Sequence, residues 1–138
     1  MSEDSTSLPD RSPPPGKAPT ILMVEDQEVI RRMTSRMLTS LGYTILEASN
    51  GREGVSLFGL RKDEIDLVIV DLTMPVMDGR DMFYRIREIK PSIKVIFTSG
   101  YPRQDLVEEL LGEGISGFLQ KPFSVEELSD MIRRLMGH

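Results

Sequence analysis

Cysteine and tryptophan are both absent from this chain. Without cysteine there is no disulfide framework, no thiol nucleophile and no thiolate metal site. That absence fits a reducing cytoplasm, which is the expected location. No apolar run approaches the roughly 20 residues needed to cross a bilayer. The N-terminus has neither the basic nor the apolar region of a secretory signal. Basic charge is in deficit, 17 Lys and Arg against 22 Asp and Glu, for a net charge of −5. A dedicated nucleic-acid binder normally presents a basic face, so nucleic acid is not an expected partner. Aromatic residues make up only 6% of the chain, which leaves an aliphatic core with nine methionines as adaptable filler. A length of 138 residues suits one domain with a proper core and is short for two.

What the chain does have is organised around one stretch, Ile65-Asp66-Leu67-Val68-Ile69-Val70-Asp71-Leu72-Thr73-Met74-Pro75. Leu67 to Val70 is an apolar run rich in β-branched side chains, the pattern of a strand buried on both faces. It ends on a carboxylate, Asp71, and Pro75 and Gly79 keep the following residues in a loop. An acid at the carboxyl end of a buried parallel strand lies where open α/β sheets bind ligands.

Residues 1–19 hold five prolines, four serines and few large apolar side chains, a composition that cannot repay the entropy of ordering. They are expected to form a flexible tail or linker, with the folded domain over 20–138. From Thr20 a pattern repeats. Ile21-Leu22-Met23-Val24 predicts a buried strand ending on Glu25-Asp26. Val29, Ile30, Met33, Met37 and Leu41 recur at helical spacing, and Gly42 supplies a stop. Tyr43 to Ala48 predicts a second strand, and Asn50 with Glu53 predicts a capped second helix running to about Lys62. After the central strand, Met82, Phe83, Ile86 and Ile89 mark a third helix that stops before Pro91. Asp78 reads as the turn that opens it. Lys94 to Thr98 predicts a fourth strand reaching Ser99-Gly100, and Leu106, Val107, Leu110 and Leu111 mark a fourth helix. Ser116 to Gln120 predicts a fifth strand running into Lys121-Pro122. Ser124 and Glu127 then form a capping box, Phe123 and Leu128 a hydrophobic staple, and Leu128, Met131, Ile132 and Leu135 the apolar face of the last helix.

Strands alternating with helices make a parallel sheet covered on both faces. Right-handed crossovers put every strand's carboxyl end on the same edge. Glu25-Asp26, Asp71 and Lys121 all arrive at that edge, and Ser99 adds a hydroxyl. Three carboxylates brought together repel one another, and a divalent cation removes that conflict. Oxygen ligands favour Mg²⁺, which would lie about 2.0–2.1 Å from them and keep several waters. A carboxylate such as Asp71 can attack phosphorus to give an acyl phosphate. Lys121 offers a cation for the remaining phosphoryl charge, and Ser99 a donor.

Taken together, Glu25-Asp26, Asp71, Ser99 and Lys121-Pro122, in that order after successive strands, resemble a response-regulator receiver domain over about Thr20 to Met136. The resemblance implies a flavodoxin-like, doubly wound five-stranded parallel sheet of order 2-1-3-4-5 with five helices. It implies phosphorylation of Asp71 by a histidine kinase or histidine phosphotransfer protein. Mg²⁺ would be held by Asp26, Asp71 and the carbonyl of Thr73, with Glu25 acting mostly through water. Lys121 would pair with the phosphoryl group, and the bond before Pro122 is often cis in such domains. Ser99 and Phe118 would form a switch pair that changes the face built from the fourth helix, fifth strand and fifth helix, either for a partner or for a dimer. The run Thr98-Ser99-Gly100-Tyr101-Pro102 is most similar to receivers of hybrid histidine kinases. No dimerisation histidine and no ATP-binding signature occurs in the chain, so a kinase body would lie outside it. A stand-alone regulator is the alternative.

Other readings compete. A haloacid-dehalogenase-like phosphatase needs a second Asp two residues after the first, where this chain has Thr73. A flavodoxin would hold a flavin phosphate after strand one, where Glu25-Asp26 would repel it. A degenerate receiver used only as an interaction surface would not need intact Asp26, Asp71 and Lys121. Gly112-Glu113-Gly114-Ile115-Ser116-Gly117 satisfies G-x-G-x-x-G, but it follows a helix and enters a strand, the reverse of a dinucleotide site. Glu108, Glu109 and Glu113 read as a solvated helix face or the edge of a partner surface. His138, the only histidine, is given no catalytic role.

Overall fold

The computed structural model describes residues 19–74, 77–100 and 104–137. Residues 1–18 of the tail expected over 1–19, Pro75, the Tyr101-Pro102 pair, Arg103 and His138 lie outside the described residues. The strands are β1 (Thr20–Val24), β2 (Thr44–Ala48), β3 (Leu67–Asp71), β4 (Lys94–Ser99) and β5 (Gly117–Gln120). The helices are α1 (Glu28–Ser40), α2 (Gly51–Arg61), α3 (Gly79–Ile89), α4 (Gln104–Gly112) and α5 (Val125–Met136). They alternate, and the strands form one parallel sheet in the order β2-β1-β3-β4-β5. This is the flavodoxin-like arrangement that the resemblance implied.

The two apolar runs become the middle of the sheet because every residue of β1 and β3 is buried. Alternate side chains feed two separate cores, as the two-residue period of a strand requires. Val68 and Val70 join Phe58, Met82, Phe83, Ile86 and Leu110 on the α2, α3 and α4 side. Leu67 and Ile69 join Leu38, Leu128, Ile132 and Met136 on the α1 and α5 side. Pro19, assigned to the tail from the sequence, is buried, and its carbonyl accepts from the Thr44 amide at 3.1 Å.

Local capping follows the sequence. Asn50 accepts from the Glu53 amide, Asp78 from the Asp81 amide, and Ser124 with Glu127 forms the reciprocal capping box. Gly112 closes α4, Gly114 adopts φ +96° in the turn, and the chain then enters β5, so the glycine-rich run serves a turn. Gly79 matters more to the edge of the sheet. A Cβ there would come within 2.5 Å of the Asp71 carbonyl oxygen and 2.9 Å of the Leu72 Cα. Only glycine lets α3 start this close to the end of β3.

The helix expected from the spacing of Val29 to Leu41 forms, but it turns another face inward. The stripe Val29, Ile30, Met33, Met37 and Leu41 is not the inner face of α1. Val29, Met33 and Leu41 are more than half exposed, and the buried residues are Thr34, Ser35 and Leu38. Ile89 and Leu111, placed on the apolar stripes of α3 and α4, are also partly in solvent. Glu109 and Glu113 do not simply face water either. Glu109 pairs with Arg80, and Glu113 accepts from the Tyr84 hydroxyl at 2.6 Å, so both tie α4 to α3.

Candidate functional site

Because the strands are parallel, the residues that follow them collect at one edge. β1 delivers Glu25 and Asp26, β3 ends on Asp71, and β5 is followed by Lys121. One carboxylate oxygen from each of Glu25, Asp26 and Asp71 lies within 4.8 Å of the other two. Glu25 and Asp71 are 3% and 6% exposed, while Asp26 is more open. The Lys121 ammonium spans the two buried acids, donating to Glu25 Oε1 at 2.6 Å and to Asp71 Oδ2 at 3.0 Å.

The remaining oxygens are partly satisfied by the backbone. Asp71 Oδ1 accepts from the Thr73 amide at 3.1 Å, and Glu25 Oε2 from the Gln27 amide at 3.2 Å. Ser99 is buried at the end of β4, and its carbonyl accepts from the Lys121 amide at 2.8 Å. The Lys121-Pro122 bond is cis. Phe118 is half-buried rather than fully in the core. It packs on the α4 side with Leu106, one strand over from Phe97.

Burial pushes the Glu25 carboxyl above its ordinary value, and repulsion from Asp71 adds to that, against the opposing pull of Lys121 and the Gln27 amide. Burial works against the charge on Lys121, yet its bonds to Glu25 and Asp71 outweigh that and hold its pKa above the usual lysine value. The acidic cluster is thus strained, with one internal cation shared between two buried carboxylates. A group raised in this way stabilises the fold below its unfolded value, near 4.5, and loses that contribution as pH rises through its folded value. Glu25→Gln should therefore raise the melting temperature of the metal-free protein by a few degrees at pH 7. The gain should shrink as pH falls through the raised folded value and be gone below about 4.5. Calorimetry in chelator across that range checks it, and an unchanged or lower melting temperature at pH 7 counts against it.

All three converging groups offer hard oxygen donors and no nitrogen or sulfur, a set that fits Mg²⁺ and not zinc or copper. The sequence reading missed Arg31. Its guanidinium, on α1, donates to the Glu25 carbonyl at 2.9 Å and to Glu47 Oε1 at 3.0 Å. Its only signal in the sequence is an arginine placed just ahead of Thr34 and Ser35, on a face that looks solvent-exposed.

Comparison with known proteins places this geometry. The family profile described as "Response regulator receiver domain" matches residues 21–133. The sensor kinase CckA of Brucella abortus is 37% identical over 117 residues, covering 85% of this chain but only 12% of that kinase. The chemotaxis protein CheY of Thermotoga maritima is 34% identical over 116 residues, covering 83% of this chain and 95% of that protein. A solved response regulator receiver domain protein from Clostridium thermocellum superposes with a TM-score of 0.83 at 30% identity, over 86% of this chain and 94% of that one.

Proposed function

The chain belongs to the response regulator receiver domain family, and from that premise we propose that it is a phosphoacceptor in which Asp71 takes a phosphoryl group from a phosphohistidine donor. The observation that carries this reading is the Lys121 ammonium held between Glu25 and Asp71, with Asp26 alongside. Asp71 is the acid at the strand end itself, and its Oδ1 is oriented by the Thr73 amide. Asp26, Asp71 and the Thr73 carbonyl would hold Mg²⁺, with Glu25 acting through water. When bound, the ion supplies neutralising charge for phosphoryl oxygens.

In the proposed step an Asp71 carboxylate oxygen bonds to phosphorus while the donor's nitrogen–phosphorus bond breaks. The imidazole nitrogen leaves with the electron pair and takes a proton from solvent. Attack by water on the acyl phosphate later returns the carboxylate and inorganic phosphate. Lys121 would exchange a carboxylate contact for a phosphoryl oxygen, and Ser99 would donate its hydroxyl to another. Phe118, half-buried beside α4, would respond to the movement of Ser99 and change the α4-β5-α5 face for a partner or a second copy. On this reading the domain catalyses only its own phosphorylation and dephosphorylation.

The exposed stripe of α1 supports a site for the donor. Val29 and Met33 stand in solvent, and Met33 borders a cleft of about 460 Å³ lined also by Ile30, Met37, Pro122 and Phe123. Lys121 borders the same cleft, so an apolar helix docked there would bring its phosphohistidine to the acidic cluster. The similarity to CckA favours a receiver attached to a hybrid kinase. The full-length match to CheY keeps a stand-alone regulator as the second reading.

Incubation with acetyl phosphate and Mg²⁺ tests the proposal. Intact-mass spectrometry should show the addition of one base-labile phosphoryl group per chain, and none when the metal is chelated. Unmodified protein under both conditions would overturn it. Many turnovers of a phosphate ester per chain would instead mark a phosphatase.

A further inference from the structure

Asp26 is the open member of the acidic cluster, and among the described residues its carboxylate makes no hydrogen bond or ion pair. Its aim is therefore set by its main chain. The residue before it is held at every polar point. The Glu25 amide donates to the Ala48 carbonyl at 3.1 Å, and its carboxylate meets Lys121 and the Gln27 amide. Its carbonyl accepts from Arg31 Nη1 at 2.9 Å. That carbonyl belongs to the planar peptide that leads into Asp26, so the bond to Arg31 fixes the plane from which the Asp26 side chain departs.

Arg31 is suited to this. Its side chain is 13% exposed, and the rigid guanidinium fork directs Nε to Glu47 on β2 while Nη1 reaches the carbonyl. Glu47 lies opposite Met23 in the sheet, so the anchor sits on an ordered strand. Without the pin, repulsion from Glu25 and Asp71 would turn Asp26 outward. We propose that Arg31 is a positioning residue that aims Asp26 into the cation site by fixing the Glu25–Asp26 peptide plane, with Glu47 as its anchor. This rests on the reading of the cluster as an Mg²⁺ site.

The sign of one measurement separates positioning from simple charge. As a nearby cation, Arg31 should weaken Mg²⁺ binding, so its removal would tighten the ion if charge were all that mattered. If Arg31 aims a ligand, its removal loosens the ion. Partners that orient metal ligands are typically worth about 10–100-fold in affinity. Titration calorimetry with Mg²⁺ on the full chain should show Arg31→Ala weakened by about tenfold. Arg31→Lys, which keeps the charge but not the two-point fork, should be weakened nearly as much. Glu47→Gln should lose less. In the metal-free protein the Gln27 amide should exchange faster in Arg31→Ala than in the parent. Labelling by acetyl phosphate should slow at limiting Mg²⁺ and recover at saturating Mg²⁺, which a general loss of structure would not allow. Parent-like or tighter Mg²⁺ binding by folded Arg31→Ala overturns the inference. If Arg31→Ala does not fold, parent-like binding by Arg31→Lys does so. A parent that takes up no Mg²⁺ removes the cation site first, and the inference with it.

Discussion

Asp71→Asn should take up no phosphoryl group from acetyl phosphate and Mg²⁺, and it should keep the parent's fold. The amide retains an oxygen for the Thr73 amide at the Asp71 position, and Lys121 keeps its bond to Glu25. What disappears is the anionic oxygen proposed to attack phosphorus, so the expected effect is loss of labelling and not a shift in rate. Removing one of three mutually repelling charges should leave the metal-free melting temperature unchanged or raised. Mass spectrometry before and after base treatment, with circular dichroism as the control for folding, reads both. A base-labile phosphoryl group on the variant would mean that another carboxylate is the acceptor.

Lys121→Ala should have the second-largest effect, and its direction follows from the contacts. From the sequence alone this variant is expected to keep its Mg²⁺ affinity and show a blunted conformational response. The contacts revise the first half. Lys121 is the cation between Glu25 and Asp71, at 2.6 and 3.0 Å, and its side chain is only 17% exposed. Removing it leaves two buried carboxylates without their partner. Breaking a buried pair in this way typically costs about 3–5 kcal/mol, and the partial exposure of Lys121 points to the lower end. In chelator the variant should therefore melt well below the parent. Added Mg²⁺ should restore more stability to the variant than to the parent, because the ion no longer competes with an ammonium group. The Mg²⁺ affinity should be higher than the parent's for the same reason. With acetyl phosphate, the change in amide exchange over β5 and α4 expected of the parent should be absent from the variant. Equal Mg²⁺ affinity in the two proteins would mean that Lys121 does not contest the cation site, and equal exchange responses would remove its role in the switch.

Some elements were legible because their signals are local. The runs in β1 and β3 can only be strands buried on both faces, and both are. Ser124 and Glu127 find each other within one turn, so the start of α5 could be read from four residues. Right-handed crossovers made the common edge of Glu25, Asp26, Asp71 and Lys121 an inference from order alone. α1 was read as a helix, and it is one, but periodicity reports where the apolar side chains lie, not which face turns inward. Its inner face carries Arg31, Thr34, Ser35 and Leu38, and three of those are polar. The apolar stripe stayed outside, with Met33 and Met37 bordering the same cleft as Lys121 and Phe123, and among the described residues Val29, Met33 and Leu41 remain more than half exposed. Glu109 and Glu113 are exposed, as expected, but their contacts were not legible for a related reason. Their partners, Arg80 and Tyr84, come from α3 across 29 residues of chain.

By itself, the order of residues determined the alternation of strands and helices, the parallel sheet and the set of groups gathered along one edge. Hydrophobic runs, caps and handedness act over a few residues or obey a general chirality, so each could be argued without coordinates. Only the tertiary structure decided that Lys121 bridges two acids, that Asp26 is left open, and that Arg31 grips the carbonyl between them. Those contacts join residues as far as 96 positions apart, and their reach depends on distances of a few tenths of an ångström that no spacing in the sequence encodes.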